Sequence, residues 1–598
     1  MLVKSPLPSL LDLLSWPPGQ QPWTKQEEAH QRSSGERLFA LFMEQRTGKT
    51  IVCLGTIAYQ YSRFLAAGGF SAGPPSPSVR ALLPKRLVEG RQGKKAWMTV
   101  AGRISDLPKA PSKPGFCYRP GGWATKGLDA LVVIALPSGV PANWKEEVEL
   151  RIPKALKPKV FLWDAQKSDS AAFAKEFVAV TAHEGLAVFL INGEALNTPD
   201  LKKALGTFLR ARRALVIGDE TSLICSQPGN VRAKVMNAIR GLPGSIARRI
   251  LDGTPGDESV LDMYQQMLFL DWKILGFDSW TAFKSFYASW VLEEIWIKNK
   301  KTGTPEPRAV RKQAVEEGTG KKVYANLDVM AKKLAPGSFR VKRVDCFDIP
   351  AKIYTHYPFD LSAAQRAVYD PLRDEFEAEL RDGTLVKASH ILARMTRLDQ
   401  IRANYYPPVK IPMICSACDG DGCEACDDIG AIMSKTSKKI IDPERNPLVE
   451  AFTDILSLNR EPGIAWAFFD ETIDALIGAG AAAGRKVVRY DGKVDEAEKL
   501  RSKAEFQGGL ADLMVAKESS AGRGINLSAA KWMAYVENAY SKRKRSQSED
   551  RAEVGGRTFG TGIIDLCAAD TYDEKKRQAH INKGEVSESL WDFLRVAR

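Results

Sequence analysis

The chain has 598 residues, of which 44% are hydrophobic and 26% charged, a composition typical of a globular protein of about three or four domains. It contains no run of about eighteen apolar residues and no small-residue cleavage site near the N-terminus, so we expect neither a membrane span nor a secretory signal. The net charge of +14 favours a polyanionic partner such as nucleic acid, although a merely soluble basic enzyme fits the charge equally well.

The first candidate for chemistry is the stretch FMEQRTGKT, residues 42–50. A phosphate-binding loop needs converging backbone N–H groups, a lysine for charge and a hydroxyl for Mg²⁺, and Gly48, Lys49 and Thr50 supply these. The segment IVCLGTIAYQY follows and predicts a helix whose N-terminus faces the phosphates. Met43 stands where such a loop normally has its first glycine, so the loop by itself is incomplete evidence.

A parallel sheet is predicted after this loop. The residues from about Gly68 to Lys126 are rich in Gly, Pro and basic residues, and they predict an insertion or mobile loop. Beyond it, ALVVIAL (130–136), LAVFLIN (186–192) and ALVIGDE (214–220) are short apolar runs with helical segments between them. This alternation is typical of a doubly wound sheet of buried parallel strands.

The third of these runs ends in two acids, Asp219 and Glu220. In a phosphate-loop ATPase the strand-end aspartate holds Mg²⁺, and the adjacent acid can orient the attacking water. The pair follows Lys49 in the right order and at a plausible distance, so we interpret these residues as one ATP site. Upstream, the amide of Gln26 could bind the adenine edge, and Trp23 is either a stacking partner for the base or a core residue.

The remaining chain shows a helical pattern and then a second series of strands. From about Gly256 to Leu392 the pattern is helical, with aromatic residues at helical spacing in WTAFKSFYASWVLEEIW that we interpret as helix core. From near Gly463, the runs IAWAFF, KVVRYDG, DLMVAK, WMAYVEN and GIIDLCAAD predict a second α/β half. The basic clusters KNKK (298–301) and SKRKRS (541–546) are candidate phosphate contacts or solvated loops, and we favour phosphate contacts for the second.

Four of the nine cysteines fall within twelve residues, in CSACDGDGCEAC. Two CxxC turns can present four thiolates to one tetrahedral ion and leave no open position, which predicts a structural Zn²⁺ site. An iron–sulfur cluster is the chemical alternative. The other five cysteines are scattered, which indicates a reducing compartment and no disulfide framework. The predicted zinc ligands are Cys415, Cys418, Cys423 and Cys426.

Taken in order from about Gln21 to Lys583, the chain resembles the SWI/SNF-type ATPases of helicase superfamily two, in particular their compact phage and bacterial members. Gln26 falls on the Q motif and FMEQRTGKT on motif I, which in this family often lacks the early glycine. The other segments that carry the resemblance are ALPSGVPANWKEEVE (motif Ia, with Pro137, Asn143 and Trp144), DETS (motif II), LDGTP at 251–255 (motif III), MTRLDQIRANYY (the junction into the second motor domain), ESSAGRGINLSAA (motif V, with Gly522, Gly524 and Asn526), QSEDRAEVGGR (motif VI) and IIDLCAADTYDE (the tail that follows).

The resemblance implies an α/β fold of two RecA-like doubly wound parallel-sheet lobes, with helical insertions and a small zinc-binding module. The expected segments are an N-terminal segment at 1–20, a first ATP-binding lobe at 21–260 with the insertion at 68–126, a helical insertion region at 261–394, a junction with the zinc module at 395–440 and a second lobe at 441–598. The implied site residues are Lys49, Asp219, Glu220 and Arg551 for catalysis; Gln26, Gln45, Arg46, Thr47, Gly48, Lys49, Thr50, Gly524 and Arg551 for the nucleotide; Thr254 and Gln547 for coupling; and Thr50 and Asp219 for Mg²⁺.

Two departures from the family pattern bear on turnover. In motif VI, Gln547 and Arg551 match, but Val554 stands where a second arginine usually reaches the γ-phosphate. Arginine fingers contribute about three to five orders of magnitude in rate in related enzymes. Either Arg551 acts alone, or Arg557 replaces the missing arginine, or turnover is slow. Motif II also differs in its last two residues, which could weaken the coupling between hydrolysis and DNA grip.

Together with these residues, the resemblance implies an ATP-driven motor that translocates on double-stranded DNA, uses ATP, Mg²⁺ and structural Zn²⁺, and remodels DNA or protein–DNA complexes in replication, recombination or repair. Grip on phosphates implies low sequence specificity and strong salt dependence. One alternative is a strand-separating DNA helicase or an RNA helicase, and another is a DNA-binding scaffold with a degenerate ATPase. We expect a cytoplasmic protein of a bacterial or phage-infected cell.

Overall fold

The computed structural model divides into two compact units, one made of the described residues up to Asp348 and the other of those from 350 to 577. The structure describes residues 7–69, 85–89, 95–99, 127–136, 140–225, 229–253, 255–256, 259–298, 305–316, 322–348, 350–375, 377–379, 385–387, 391–406, 410–414, 431–435, 439–518, 527–537, 542–552, 559–574 and 576–577.

The first unit is built on a seven-stranded sheet. Its strands and those of two separate hairpins are β1 Leu38–Met43, β2 Lys85–Glu89, β3 Lys95–Thr99, β4 Ala130–Ala135, β5 Lys159–Leu162, β6 Ala187–Asn192, β7 Ala214–Asp219, β8 Ser245–Leu251, β9 Trp290–Lys298, β10 Pro305–Gln313 and β11 Ser338–Val341. The sheet has the order β11-β1-β8-β7-β4-β6-β5, and every neighbouring pair in it is parallel. Strands β4 and β7 are buried along their whole length, as expected when both faces are covered.

Helices cover both faces of this sheet. They are α1 Leu10–Leu13, α2 Thr24–Ser33, α3 Lys49–Ala66, α4 Val140–Arg151, α5 Ala171–Thr181, α6 Pro199–Ala211, α7 Thr221–Ile224, α8 Val231–Ile239, α9 Met263–Leu270, α10 Trp280–Tyr287 and α11 Leu327–Leu334. Successive residues of β4 point to opposite faces. Leu131 and Val133 join the core formed with α3 and α4, whereas Val132 and Ile134 join the core formed with α5 and α6. The sheet is therefore doubly wound.

The helical interpretation of residues 256–392 is wrong for part of that segment. Residues Trp290–Lys298 and Pro305–Gln313 are the antiparallel strands β9 and β10, with Trp290 opposite Gln313. The spacing of apolar and acidic residues in VLEEI fits a helix as well as a strand. Pairing with β10 makes this segment a strand. The first part of the aromatic stretch is helix α10, and Phe283 and Tyr287 lie in the core as predicted.

The second unit has its own parallel sheet of six strands. Its strands and those of small separate two-stranded sheets are β12 Ile353–Phe359, β13 Glu377–Glu379, β14 Leu385–Lys387, β15 Tyr405–Tyr406, β16 Lys410–Ile414, β17 Ala431–Lys435, β18 Lys439–Ile440, β19 Gly463–Trp466, β20 Val487–Tyr490, β21 Leu513–Ala516, β22 Trp532–Tyr535 and β23 Gly562–Ala568. The sheet order is β12-β23-β22-β19-β21-β20, with parallel neighbours throughout.

This sheet is also covered on both faces. Its unit contains the helices α12 Ala363–Glu375, α13 Ile391–Arg402, α14 Pro447–Leu458, α15 Asp470–Ala482, α16 Glu496–Gln507 and α17 Lys542–Glu549. On one face Ala465 and Val515 pack with α14 and α15, and on the other Ile464 and Met514 pack with Phe506 of α16. The predicted α/β class with two doubly wound parallel sheets is therefore confirmed.

Several predicted features lie wholly or largely outside the described residues. They include the four cysteines of the predicted zinc module, most of the 68–126 insertion, and the last residues from 578 on. Of the scattered cysteines, those within the described ranges are free thiols, namely Cys53, Cys225, Cys346 and Cys567. Within the same ranges, no helix is both long and apolar enough to cross a membrane.

Candidate functional site

The predicted phosphate loop connects β1 to α3 at the carboxyl edge of the first sheet. Met43, at the position of the absent first glycine, is the last residue of β1 and is completely buried. The loop turns at once after the strand, because Thr47 Oγ1 donates a hydrogen bond of 2.7 Å to the Glu44 carbonyl. Gly48 then adopts φ 88°, a left-handed conformation that favours glycine, and α3 begins at Lys49. The loop is therefore built from residues 44–48.

Lys49 carries a buried charge at the start of α3. Its Nζ atom is shielded from solvent and has no hydrogen-bond partner among the described residues. The Gln45 side-chain oxygen and the Ser222 hydroxyl are likewise buried without a hydrogen-bond partner within the described ranges. Burial raises the pKa of Asp219 and the nearby positive charge of Lys49 opposes that rise, so the structure brings together the two ends of the predicted site.

Asp219 is held in one orientation at the end of β7. Its Oδ2 accepts a 2.8 Å hydrogen bond from the Trp144 indole N–H, and its Oδ1 accepts one of 3.0 Å from the backbone N–H of Glu220. Burial raises the pKa of the Asp219 carboxyl, while Lys49 and these two donors oppose that rise. The carboxylate still has free lone pairs on each oxygen, since each accepts one of these hydrogen bonds.

Glu220 is the N-cap residue of a short helix and follows Asp219, the candidate Mg²⁺ ligand. It adopts φ 52° and stands immediately before α7. A residue that the predictions did not assign, Asp252, fixes this helix, because its Oδ2 accepts a 2.7 Å hydrogen bond from Ser222 N–H. Asp252 follows β8, which lies between β1 and β7 in the sheet. In the sequence, the signal that points to Asp252 is its place in LDGTP, the segment that resembles motif III.

The segment after β8 also approaches the phosphate loop. A Cβ atom added to Gly253 would lie 3.4 Å from Glu44 Cα and 3.5 Å from Gln45 N. Glu44 in turn accepts a 2.8 Å hydrogen bond from the backbone N–H of Arg343, just beyond β11. The predicted phosphate loop is thus packed between the ends of β8 and β11, a contact that the sequence did not predict.

Gln26 lies on α2 and contacts the phosphate loop directly. Its side-chain oxygen accepts a 3.0 Å hydrogen bond from Trp23 N–H, and its amide nitrogen lies 3.5 Å from the Thr47 carbonyl. The Gln26 side chain is buried. Its contact with adenine stays a prediction. Trp23 is 41% exposed, and its ring packs edge-on against Phe347, with 4.5 Å between ring centroids.

Gln547 and Arg551 lie in the second unit, at the end of α17 and in the turn after it. Gln547 is buried, and the Arg551 carbonyl accepts a 3.0 Å hydrogen bond from Leu527 N–H. The preceding basic cluster is partly structural, since Arg545 is buried and forms ion pairs with Glu549 and Asp565. Phosphate contact is therefore the wrong interpretation for Arg545.

Some predicted site residues fall outside the described ranges: Thr254, Gly524, Val554, Arg557 and the cysteines Cys415, Cys418, Cys423 and Cys426. Within those ranges, no cluster of three or more His, Cys, Asp or Glu side chains is placed to hold a metal ion. The zinc site and the roles of these residues stay predictions.

No protein-family model and no curated protein matches the chain. Among solved structures, it is similar to the Sulfolobus solfataricus SWI2/SNF2 ATPase core in complex with dsDNA, at 17% sequence identity and a TM-score of 0.30. This similarity covers 96% of the present chain and 95% of the other. At such values the similarity does not bear on what this chain binds or catalyses.

Proposed function

We propose that the chain is an ATPase whose hydrolysis site lies at the carboxyl edge of the first sheet. The observation that carries this proposal is the Lys49 ammonium, which is buried at the N-terminus of α3, within the field of Asp219 and with no hydrogen-bond acceptor among the described residues. A buried cation is unfavourable unless anionic or polar oxygens contact it. The phosphates of a nucleotide supply such oxygens, and a helix N-terminus supplies backbone N–H groups to the same anion.

The residues next to Lys49 fit a bound Mg²⁺ ion. The Thr50 hydroxyl and the Asp219 carboxylate are the hard oxygen ligands that Mg²⁺ prefers, directly or through water. When bound, the ion would neutralise charge that develops on the β- and γ-phosphates. Glu220, held beside Asp219 by its own backbone N–H, is the candidate to orient the attacking water. Gln26, Gln45, Arg46, Thr47 and Gly48 complete the proposed nucleotide site.

For residues of the second unit, and for Thr254 of the first, we propose the roles that the family resemblance implies. Arg551 would sense the γ-phosphate, Gly524 would bind the nucleotide, and Thr254 and Gln547 would couple hydrolysis to movement. Arg557 is the candidate to replace the arginine absent at Val554. Cys415, Cys418, Cys423 and Cys426 would hold one structural Zn²⁺ ion.

We further propose that ATP hydrolysis drives translocation on double-stranded DNA. The net charge of +14 and the ordered motifs support this track, and contact with backbone phosphates would give little sequence specificity. Strand separation, an RNA track and a scaffold with a degenerate ATPase are outcomes that the following experiment distinguishes.

The test is phosphate release by the full chain with duplex DNA, single-stranded DNA, RNA or no nucleic acid. We expect the strongest stimulation by duplex DNA, and a loss of at least about a hundredfold in Glu220→Gln and Lys49→Ala. Glu194→Gln is a matched control, because Glu194 is an exposed acid that follows β6 at the same edge of the sheet. Strongest stimulation by single strands or by RNA would favour a helicase on that track. No nucleic-acid-dependent hydrolysis by the wild type would favour the scaffold.

A further inference from the structure

The Trp144 side chain contacts Asp219, the candidate Mg²⁺ ligand, from a helix that is remote in sequence. Trp144 lies on α4, is 1% exposed, and donates its indole N–H to Asp219 Oδ2 over 2.8 Å. The two residues are 75 positions apart in the chain. A tryptophan indole has one N–H donor and no acceptor, so this hydrogen bond favours the ionised carboxylate in a single orientation.

The far end of α4 is also fixed. The Arg151 carbonyl accepts a 2.7 Å hydrogen bond from Ser15 N–H, and the Arg151 guanidinium lies 4.7 Å from the centroid of the Trp16 ring. Arg151 also donates a hydrogen bond of 3.1 Å to the Gln20 side chain. The N-terminal segment therefore holds one end of α4, while the Trp144 ring packs in the core beneath the sheet with Val148.

We infer that Trp144 is a positioning residue for the site: it orients the Asp219 carboxylate so that the free lone pairs of that carboxylate face a bound Mg²⁺–nucleotide. This inference rests on the proposed function. Partners that hydrogen-bond a metal ligand from outside the coordination shell typically contribute about 10–100-fold to metal affinity. Trp144 contacts neither nucleotide nor metal in this arrangement, so its loss should change the response to Mg²⁺ more than the affinity for nucleotide without Mg²⁺.

The first test uses Trp144→Phe, which removes the donor and keeps an aromatic ring. The measurement is the affinity for a fluorescent ADP analogue across a Mg²⁺ titration, which needs no turnover. We expect the Mg²⁺ concentration for half-maximal effect to rise about tenfold, with little change in affinity when EDTA is present. Trp163→Phe is the matched control, because Trp163 is buried in the same unit among Phe173 and Phe189, and its variant should keep the wild-type Mg²⁺ response.

A second variant covers the case in which Trp144→Phe does not fold. Replacing Trp144 by benzothienylalanine exchanges the indole N–H for sulfur and keeps the shape of the ring, so the same shift in Mg²⁺ response is expected. A wild-type response to Mg²⁺ in either folded variant would overturn the inference while leaving the proposed ATPase intact. A wild-type chain that binds no adenine nucleotide with or without Mg²⁺ would instead overturn the proposed function.

The hydrogen bond itself can be observed without nucleotide. In a chain labelled with ¹⁵N-tryptophan, the indole signal of Trp144 is the one that Trp144→Phe removes. We expect Asp219→Ala to shift this signal and to speed its exchange with solvent, because the acceptor is lost. An unchanged signal would show that Trp144 does not act through Asp219.

Discussion

The side chain of Gln26 occupies the space that any side chain at residue 48 would need. A Cβ atom added to Gly48 would lie 2.0 Å from the side-chain nitrogen Nε2 of Gln26 and 2.8 Å from its side-chain carbon Cδ. Residue 48 is therefore restricted twice, by its left-handed backbone and by direct contact with α2. Helix α2 carries Gln26, the residue proposed to bind adenine. This helix therefore packs directly against the proposed phosphate loop.

Gly48→Ala should consequently disturb the phosphate loop. The left-handed conformation of a non-glycine residue costs about 1–2 kcal/mol, and the contact with Gln26 adds to that cost. Gly19→Ala separates the two effects, because Gly19 has φ 77° and no atom within 4 Å of an added Cβ. We expect urea unfolding to show a larger loss of stability for Gly48→Ala than for Gly19→Ala, and nucleotide binding to fail in Gly48→Ala alone.

A double variant checks the origin of the difference. Gln26→Ala removes the atoms that the new Cβ would meet, so Gly48→Ala combined with Gln26→Ala should lose less stability than the sum of the single losses. Strict additivity would show that Gln26 moves aside freely and does not restrict residue 48.

The buried carboxylate of Glu549 and its partners in the second unit lead to a prediction about acid sensitivity. Glu549 accepts hydrogen bonds from Lys352 at 3.0 Å, from Arg545 at 3.0 Å and from the Tyr354 hydroxyl at 2.9 Å. Burial alone would raise the pKa of Glu549, but Lys352 and Arg545 hold it at about 2, below its ordinary value of 4.5. The contribution of this carboxylate to stability is therefore complete above about pH 4.5 and is lost as the pH falls from there towards 2.

Glu549→Gln should therefore destabilise the second unit at pH 7 by roughly 3 kcal/mol, since it leaves the buried Arg545 and the half-buried Lys352 with fewer partners. The difference from the wild type should shrink as the pH is lowered from 5 to 3, as measured by urea unfolding at each pH. Glu450→Gln is the control, because the Arg445–Glu450 pair is exposed and its loss should have no measurable effect. A difference that stayed constant with pH would contradict the assignment of the depressed pKa to Glu549.

Continuous apolar runs predicted most strands of the two sheets, because a strand that is buried on both faces has apolar residues along nearly its whole length. The strands β4, β6 and β7 are examples. What the sequence could not supply are pairings between distant segments. The hairpin of β9 and β10 depends on cross-strand partners, and the hydrogen bond from Trp144 to Asp219 joins two elements that the sheet brings together.

The basic cluster at 541–546 led to a wrong prediction for Arg545 for the same reason. Arg545 belongs to a basic run that would suit a surface, but Asp565 on β23 and Glu549 on the same helix pair with it in the interior. A run of like charges shows how many cations a segment has, but not which carboxylates pair with them in the interior of the fold. For the same reason Asp252, which fixes the helix after Glu220, could be located in a motif but not given a task.

His30 ties the N-terminal segment to the first unit and should make that attachment sensitive to pH. The imidazole is completely buried, its Nε2–H donates to the Pro8 carbonyl over 3.0 Å, and its Nδ1 lies 2.8 Å from the Ser34 hydroxyl. Burial lowers the pKa of His30 below the ordinary 6.5, against smaller opposing effects of the Pro8 carbonyl and Glu27. The folded unit therefore holds a neutral ring while the unfolded chain binds a proton near pH 6.5.

Because the folded pKa is the lower one, the stability that the neutral ring provides is complete above pH 6.5 and falls as the pH drops through and below that value. We expect the first unit to lose stability between pH 7.5 and pH 5.5 in urea unfolding, and His30→Gln to lose less over that interval while being less stable at pH 7.5. Hydrogen exchange should locate the change in the amides of Leu10 and its neighbours on α1. An equal pH dependence in the wild type and in His30→Gln would mean that another group titrates, and that the N-terminal segment is held independently of this ring.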